Sequence, residues 1–147
     1  MIEIIGNRDV AEAVNAVIAS WATALSNKDT AGVVGHLSDD IVSFTLAAPL
    51  VYKGKGERGL EDWFSTWKGP IGGDAIDVRL TVGEDVAFWT GLVHMTGRKT
   101  DGVEVDLWFR QTLGLRQEAG TWKIVHEHTS VPFAMDGSGR AELGLKP

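Results

Sequence analysis

Residues 122–133 read Trp122-Lys-Ile-Val-His126-Glu-His128-Thr-Ser130-Val-Pro-Phe133. Side chains alternate faces along a strand, so Trp122, Ile124, His126, His128 and Ser130 are expected on one face. Lys123, Val125, Glu127, Thr129 and Val131 are expected on the other. A face that begins apolar and turns polar reads as the floor of a pocket. Residues 103–117 have the same strand character and add Trp108, Arg110 and Thr112 at matching spacing. If Glu118-Ala119-Gly120 is a three-residue hairpin loop with Gly120 left-handed, Gln117 faces Thr121. Thr112 then faces His126, Arg110 faces His128 and Trp108 faces Ser130. A two-residue loop would put Arg110 opposite Thr129, because a one-residue slip changes every partner.

Working outward, Asp101-Gly102 is a hairpin signal, and residues 75–82 and 86–98 read as two further strands. Earlier in the chain the period changes. Val14, Val17, Ile18, Trp21 and Leu25 recur at helical spacing within residues 9–26, with Asp9 and Glu12 in the pattern of a capping box. A second short helix is expected from Thr30 to about Leu37, weakened by Gly32 and Gly35 at about 1 kcal/mol each relative to alanine. Residues 41–46 read as a strand and residues 52–59 as a Gly- and Lys-rich loop. Leu60, Trp63, Phe64 and Trp67 form an amphipathic stripe that Gly69-Pro70 ends. Helices gathered on one side of an antiparallel sheet make an α+β domain. The expectation is a curved antiparallel sheet wrapped over about three helices, cone-shaped, over residues 1–133, with a small polar tail at 134–147.

Composition narrows the function classes. A chain of 147 residues fits one domain with its own core. It has no cysteine, which excludes disulfides and thiolate chemistry and fits a cytoplasmic setting. The early acid in Met1-Ile-Glu is unlike a secretory signal, and no apolar run approaches the ~20 residues that span a bilayer. The net charge of −6 comes without any basic block, so neither nucleic acid nor a membrane is the expected partner. Six tryptophans against one tyrosine give large apolar faces for a core, a dimer face or a flat apolar ligand.

Two local patterns carry a family resemblance. One is Leu37-Ser-Asp39-Asp40 ahead of the strand at residues 41–46. The other is Arg110-Gln-Thr112 followed by Gly120-Thr-Trp122-Lys-Ile-Val-His126-Glu-His128-Thr-Ser130. With the element order, they make the chain resemble the nuclear-transport-factor-2-like superfamily, in its ketosteroid-isomerase and SnoaL-like polyketide-cyclase branch. The second pattern is also similar to the association domain of the calmodulin-dependent kinase. The resemblance implies the cone fold. The superfamily hosts isomerases, cyclases, hydrolases, dehydratases and oligomerisation modules, so it does not imply one activity. In the isomerases a carboxylate near the end of the first strand is the base, and a tyrosine and a protonated aspartate stabilise the oxyanion. Here that stretch reads Ser43-Phe-Thr-Leu-Ala-Ala48 and has no carboxylate. Trp21 stands near where the tyrosine is sought, and Tyr52 lies beyond the strand. Steroid isomerisation itself is therefore not expected.

The candidate catalytic groups are Asp106, Arg110 and His128. Arg110 offers a planar fork to an anion or enolate, and His128 moves protons near neutral pH. Asp106, if shielded by Trp108, would have its neutral form favoured and serve as acid or base. The alternative is structural: Arg110 pairs with Glu127 or Asp106 at a subunit interface, and Asp106 is a solvated strand-end carboxylate. Trp21, Trp108, Thr112, His126 and Ser130 are the candidate ligand-binding residues. His126-x-His128 has a spacing that can chelate, with His94 or Asp106 as a third ligand, but neither a metal nor another cofactor is expected. The expected partner is a small apolar or cyclic molecule with one anionic or carbonyl group near Arg110. A homodimer through the outer sheet face is expected as well. The competing expectation is a non-catalytic oligomerisation or ligand-binding module of the same fold.

Overall fold

The computed structural model describes all 147 residues. Asn7 accepts a hydrogen bond from the Val10 amide at 3.1 Å and starts helix α1, Arg8–Ser26. The cap is thus Asn7 rather than Asp9, which lies inside the first turn. Ala11, Val14, Ile18, Trp21 and Ala24, three or four residues apart, form the buried stripe of α1. Asp29 caps α2, Thr30–Val34, which ends at Gly35, sooner than its spacing predicts. The third helix, α3, is Glu57–Ser65. Trp67 belongs to the next strand instead of α3, and only Phe64 of the aromatic stripe is buried within the helix.

Seven strands complete the chain: β1 Ile2–Ile5, β2 Leu37–Phe44, β3 Tyr52–Lys53, β4 Trp67–Val82, β5 Val86–Lys99, β6 Glu104–Glu118 and β7 Thr121–Ser130. They form one open sheet in the order β1-β4-β5-β6-β7-β2-β3. The sheet is mixed, which corrects the purely antiparallel expectation. β1 runs parallel to β4, and β2 parallel to β7. β1 was not foreseen, because four residues are too few to show a period. Its Ile2 and Ile4 pack against the core. With three helices on one side, this is a cone-shaped α+β fold. The tail folds back on itself through a Phe133–Ala141 bridge and a hydrogen bond that the Glu142 amide donates to the Pro132 carbonyl at 2.8 Å.

The β6–β7 hairpin departs from expectation in a way that matters for function. Its loop has two residues, Ala119 at φ 50° and Gly120 at φ 82°, so Glu118 faces Thr121. Two consecutive positive φ values are the requirement of a type I′ turn, whose twist matches the flanking strands. Farther along, Gly114 pairs with His126 while Leu115 pairs with Ile124, leaving Val125 as an extra residue in β7. The combined effect brings Arg110 opposite Ser130, Thr112 opposite His128 and Gly114 opposite His126. The expected partners are therefore displaced by two residues.

The bulge also divides a set of side chains expected on one face. Directly opposed residues point to the same side of a sheet. Leu113 and Leu115 are fully buried under the helices, and their partners are Glu127 and Ile124. Trp122, Ile124, Glu127 and Thr129 therefore share the inner, helix-side face. His126, His128 and Ser130 follow Gly114, Thr112 and Arg110 to the outer face. Inner-face residues of β4, β5 and β6, such as Leu80, Trp89 and Leu113, join the α1 stripe in one continuous core.

Candidate functional site

On the inner face, Glu127 is a carboxyl whose side-chain partner is an amide and not a cation. Glu127 sits in a row formed by Trp89, Leu113, Glu127 and Ser43, one residue from each of β5, β6, β7 and β2. The neighbouring row is Gly91, Gln111 and Thr129. The Gln111 side-chain amide donates to Glu127 Oε1 at 3.2 Å, a bond between the two rows. Burial pushes the Glu127 carboxyl up to about 7, and the Gln111 bond pulls in the opposite direction. The second Glu127 oxygen has no hydrogen-bond partner within the chain. Glu127 is half-buried on the inner face.

The row beside the pair is closely packed at Gly91. Gly91 faces Gln111 without a side chain, and the Trp89 indole lies over it. A Cβ on Gly91 would stand 2.7 Å from that ring. Phe109, Met95 and Val105 continue the inner face as partly buried apolar groups. Thr129 also borders an open groove of about 600 Å³, whose other walls are residues 44–50 and His128. Glu127 does not line that groove, so groove and carboxyl adjoin through Thr129 only.

The residues singled out from the sequence mostly gather on the outer face. Asp106 is exposed, and its carboxylate lies 2.6 Å from His94 Nε2. That hydrogen bond is the main reason Asp106 sits below the usual carboxylate range. Asp106 is thus exposed and bonded to His94 and is not shielded by Trp108. Trp108 instead stacks on His94, with ring centres 4.4 Å apart and planes within 3°. Arg110 is exposed and donates to Ser130 Oγ at 3.0 Å, and within the chain it makes no ion pair with Glu127 or Asp106. Thr112 faces His128, and Phe44 meets the His126 and His128 rings edge-on at 4.9 and 5.2 Å. His126 Nδ1 is 2.7 Å from the Val42 carbonyl. No three His, Cys, Asp or Glu side chains come together as metal ligands. Trp21 alone of the candidate set lies on the helix side, buried in the core.

Ser43, Gln111 and Glu127 were not among the sequence candidates. Glu127 is present in the decisive segment, but strict alternation assigns it to the face away from Trp122 and Ile124. Only the extra residue at Val125 returns it to their side.

The model of the SnoaL-like domain matches residues 14–134. The chain belongs to this family. No curated protein matches it. Among solved structures, an NTF2-like protein of unknown function from Pseudomonas putida is 28% identical. Its match covers 97% of this chain and 100% of that one, with a TM-score of 0.85. A ketosteroid isomerase-like protein from Erwinia carotovora is 23% identical over 85% of this chain and 97% of its own, with a TM-score of 0.71. The association domain of C. elegans CaMKII has the same fold at 16% identity, covering 84% of this chain and 96% of that one at a TM-score of 0.68. The SnoaL-like fold thus accompanies both isomerase-like and assembly-domain relatives. No helix is long and apolar enough to cross a membrane.

Proposed function

We propose that this SnoaL-like domain binds a small, largely apolar molecule against its inner sheet face and moves a proton next to a carbonyl there. Glu127 is the acid–base group. The observation that carries the reading is a half-buried carboxyl whose pKa is raised to about 7, with one oxygen held by Gln111 and the other free. A group poised near neutral pH is present in both protonation states and can accept and return a proton in one turnover. Gln111 fixes the direction in which the free oxygen points. The setting proposed is the cytoplasm, in keeping with the absence of cysteine. The test uses 2-tetralone in deuterated buffer at neutral pH. Wild-type protein should accelerate deuterium uptake beside the carbonyl, and Glu127→Gln, checked for folding by circular dichroism, should lose about 100-fold or more of that rate. A wild-type rate equal to that of buffer would overturn the reading.

A second reading rests on the outer face, where Ile76, Phe88 and Phe44 are exposed. Under it the domain is an assembly module that dimerises through this face. Asp106, Arg110 and His128, with Trp108, Thr112, His126 and Ser130, would then meet a second copy or a ligand held between copies.

A further inference from the structure

Four arginines stand on β4, β5 and β6, and the register sends each to the outer face. Three of them have a carboxylate. Arg79 pairs with Glu3 at 2.9 Å, Arg98 with Glu104, and Arg116 with Asp40 at 3.1 Å and with Glu118. Arg110 has only the Ser130 hydroxyl, which its Nε reaches at 3.0 Å. Acids outnumber bases 20 to 14 in the chain, so the difference is not a shortage of carboxylates. Arg110 shares its row with Ser130, Leu92 and Ile76. The next row toward the β6–β7 turn is Phe44, His128, Thr112, Thr90, Arg79 and Glu3, whose one carboxylate is already engaged by Arg79. On the other side Asp106 is held by His94, and Asp74 and Asp77 stand two strands away on β4. The bond to Ser130 turns the guanidinium toward β7, where His128 is its diagonal neighbour. His128 is also part of the wall of the groove of about 600 Å³ formed with residues 44–50, and the only ionisable group in that wall.

We propose that these residues form an anion site: Arg110, with Ser130, Thr112 and His128, binds the carboxylate of an amphiphilic small molecule whose apolar tail lies in the groove of residues 44–50. The site is on the outer face and does not depend on Glu127, which faces the helices. The guanidinium uses one N–H on Ser130 and keeps both Nη groups for a planar, two-pronged contact with a carboxylate. The Thr112 hydroxyl and an imidazole N–H of His128 are further donors in the adjoining row. The groove suits the other end of such a ligand. Its residues Phe44, Leu46, Ala47, Ala48, Pro49 and Leu50 are apolar, and Phe44, Leu46 and Leu50 remain exposed. A concave apolar wall with a few convergent polar groups is the ordinary form of a small-molecule site, and the volume is in the usual range for one. Concavity also favours a chain-like ligand over a second copy of this protein, whose carboxylate would reach Arg110 across the open sheet without filling the groove.

The experiment compares octanoate with 1-octanol, probes with the same tail, by titration into the nitrogen-labelled full chain at neutral pH, followed by amide chemical shifts. Octanoate should shift residues 44–50 together with Arg110 and residues 128–130, and bind about fivefold or more tighter than octanol. Salt at about 300 mM should remove most of that advantage, because exposed charge pairs are screened. Arg110→Gln, a change at an exposed position, should bring octanoate down to the octanol affinity and leave octanol unaltered. The probe and salt comparisons on the wild-type chain stand by themselves if that variant does not fold. No binding of octanoate, octanol binding as tightly, shifts confined to the inner face around Gln111 and Glu127, or an octanoate affinity that Arg110→Gln and salt leave unchanged would each overturn the site. So would sedimentation showing that Arg110→Gln dissociates a wild-type dimer that takes up no octanoate, since the guanidinium would then belong to a second copy.

Discussion

A carboxyl held near neutrality affects folding as well as chemistry. Glu127 has its pKa raised from 4.5 to about 7 in the folded chain. Below about pH 4.5 it is protonated in both the folded and unfolded states and costs nothing. Between about 4.5 and 7 the unfolded chain releases its proton while the folded chain retains it, so stability falls as pH rises. Above about 7 both are ionised and the loss is complete. At about 1.4 kcal/mol per pKa unit the full effect is on the order of 3 kcal/mol. Urea unfolding at several pH values should show this slope, and Glu127→Gln should flatten it and raise stability at about pH 8. A variant with an unchanged slope would place the titrating group elsewhere. The position is legible in the sequence only as one acid among twenty. Its environment comes from Leu113 and Gln111, residues that lie 14 and 16 positions earlier in the numbering but directly or diagonally across a strand pair.

At the scale of elements, the β6–β7 hairpin decides which side chains face the helices. Its two-residue turn places Ala119 at φ 50°, a conformation that a Cβ opposes. Asparagine tolerates that region and precedes glycine in many type I′ turns. Ala119→Asn should therefore raise the urea midpoint, by about 1 kcal/mol in stability, and leave the register intact. A destabilised variant would argue against the turn as described. The segments with long, regular patterns were readable in advance. β5, β6, β7 and α1 lie within one or two residues of their expected starts, because alternation and helical periodicity persist over many residues. Short elements escaped. β1 and β3 have four and two residues, and their existence depends on a neighbouring strand offering hydrogen bonds.

At the scale of the whole molecule, the sheet has one face covered by helices and one without a helix. The outer face leaves Phe88 at 47% and Ile76 at 40% exposure; Ile76 lies one row from the stacked His94 and Trp108 rings, and Phe88 three rows from them. An uncovered antiparallel surface normally turns polar residues to water, and a cluster of apolar ones marks a contact surface. If this face dimerises, as the second reading holds, Phe88→Glu should yield a monomer in sedimentation with an unchanged circular dichroism spectrum. A wild-type chain that already sediments as a monomer would remove the assembly reading and leave the inner-face site as it stands.

The sequence by itself determined the α+β class, the helix that fills the cone, and the four long strands that end the chain. These follow from local periodicity and turn chemistry, which act between residues close in number. The tertiary structure decided the parallel pairings at β1 and β2, the hairpin register, and the side of the sheet on which each candidate residue stands. One inserted residue at Val125 reverses the alternation of β7. A bulge is a property of two strands and not of one, so Glu127 could be placed under the helices, and Arg110 and His128 on the outer face, only after the strands had been paired.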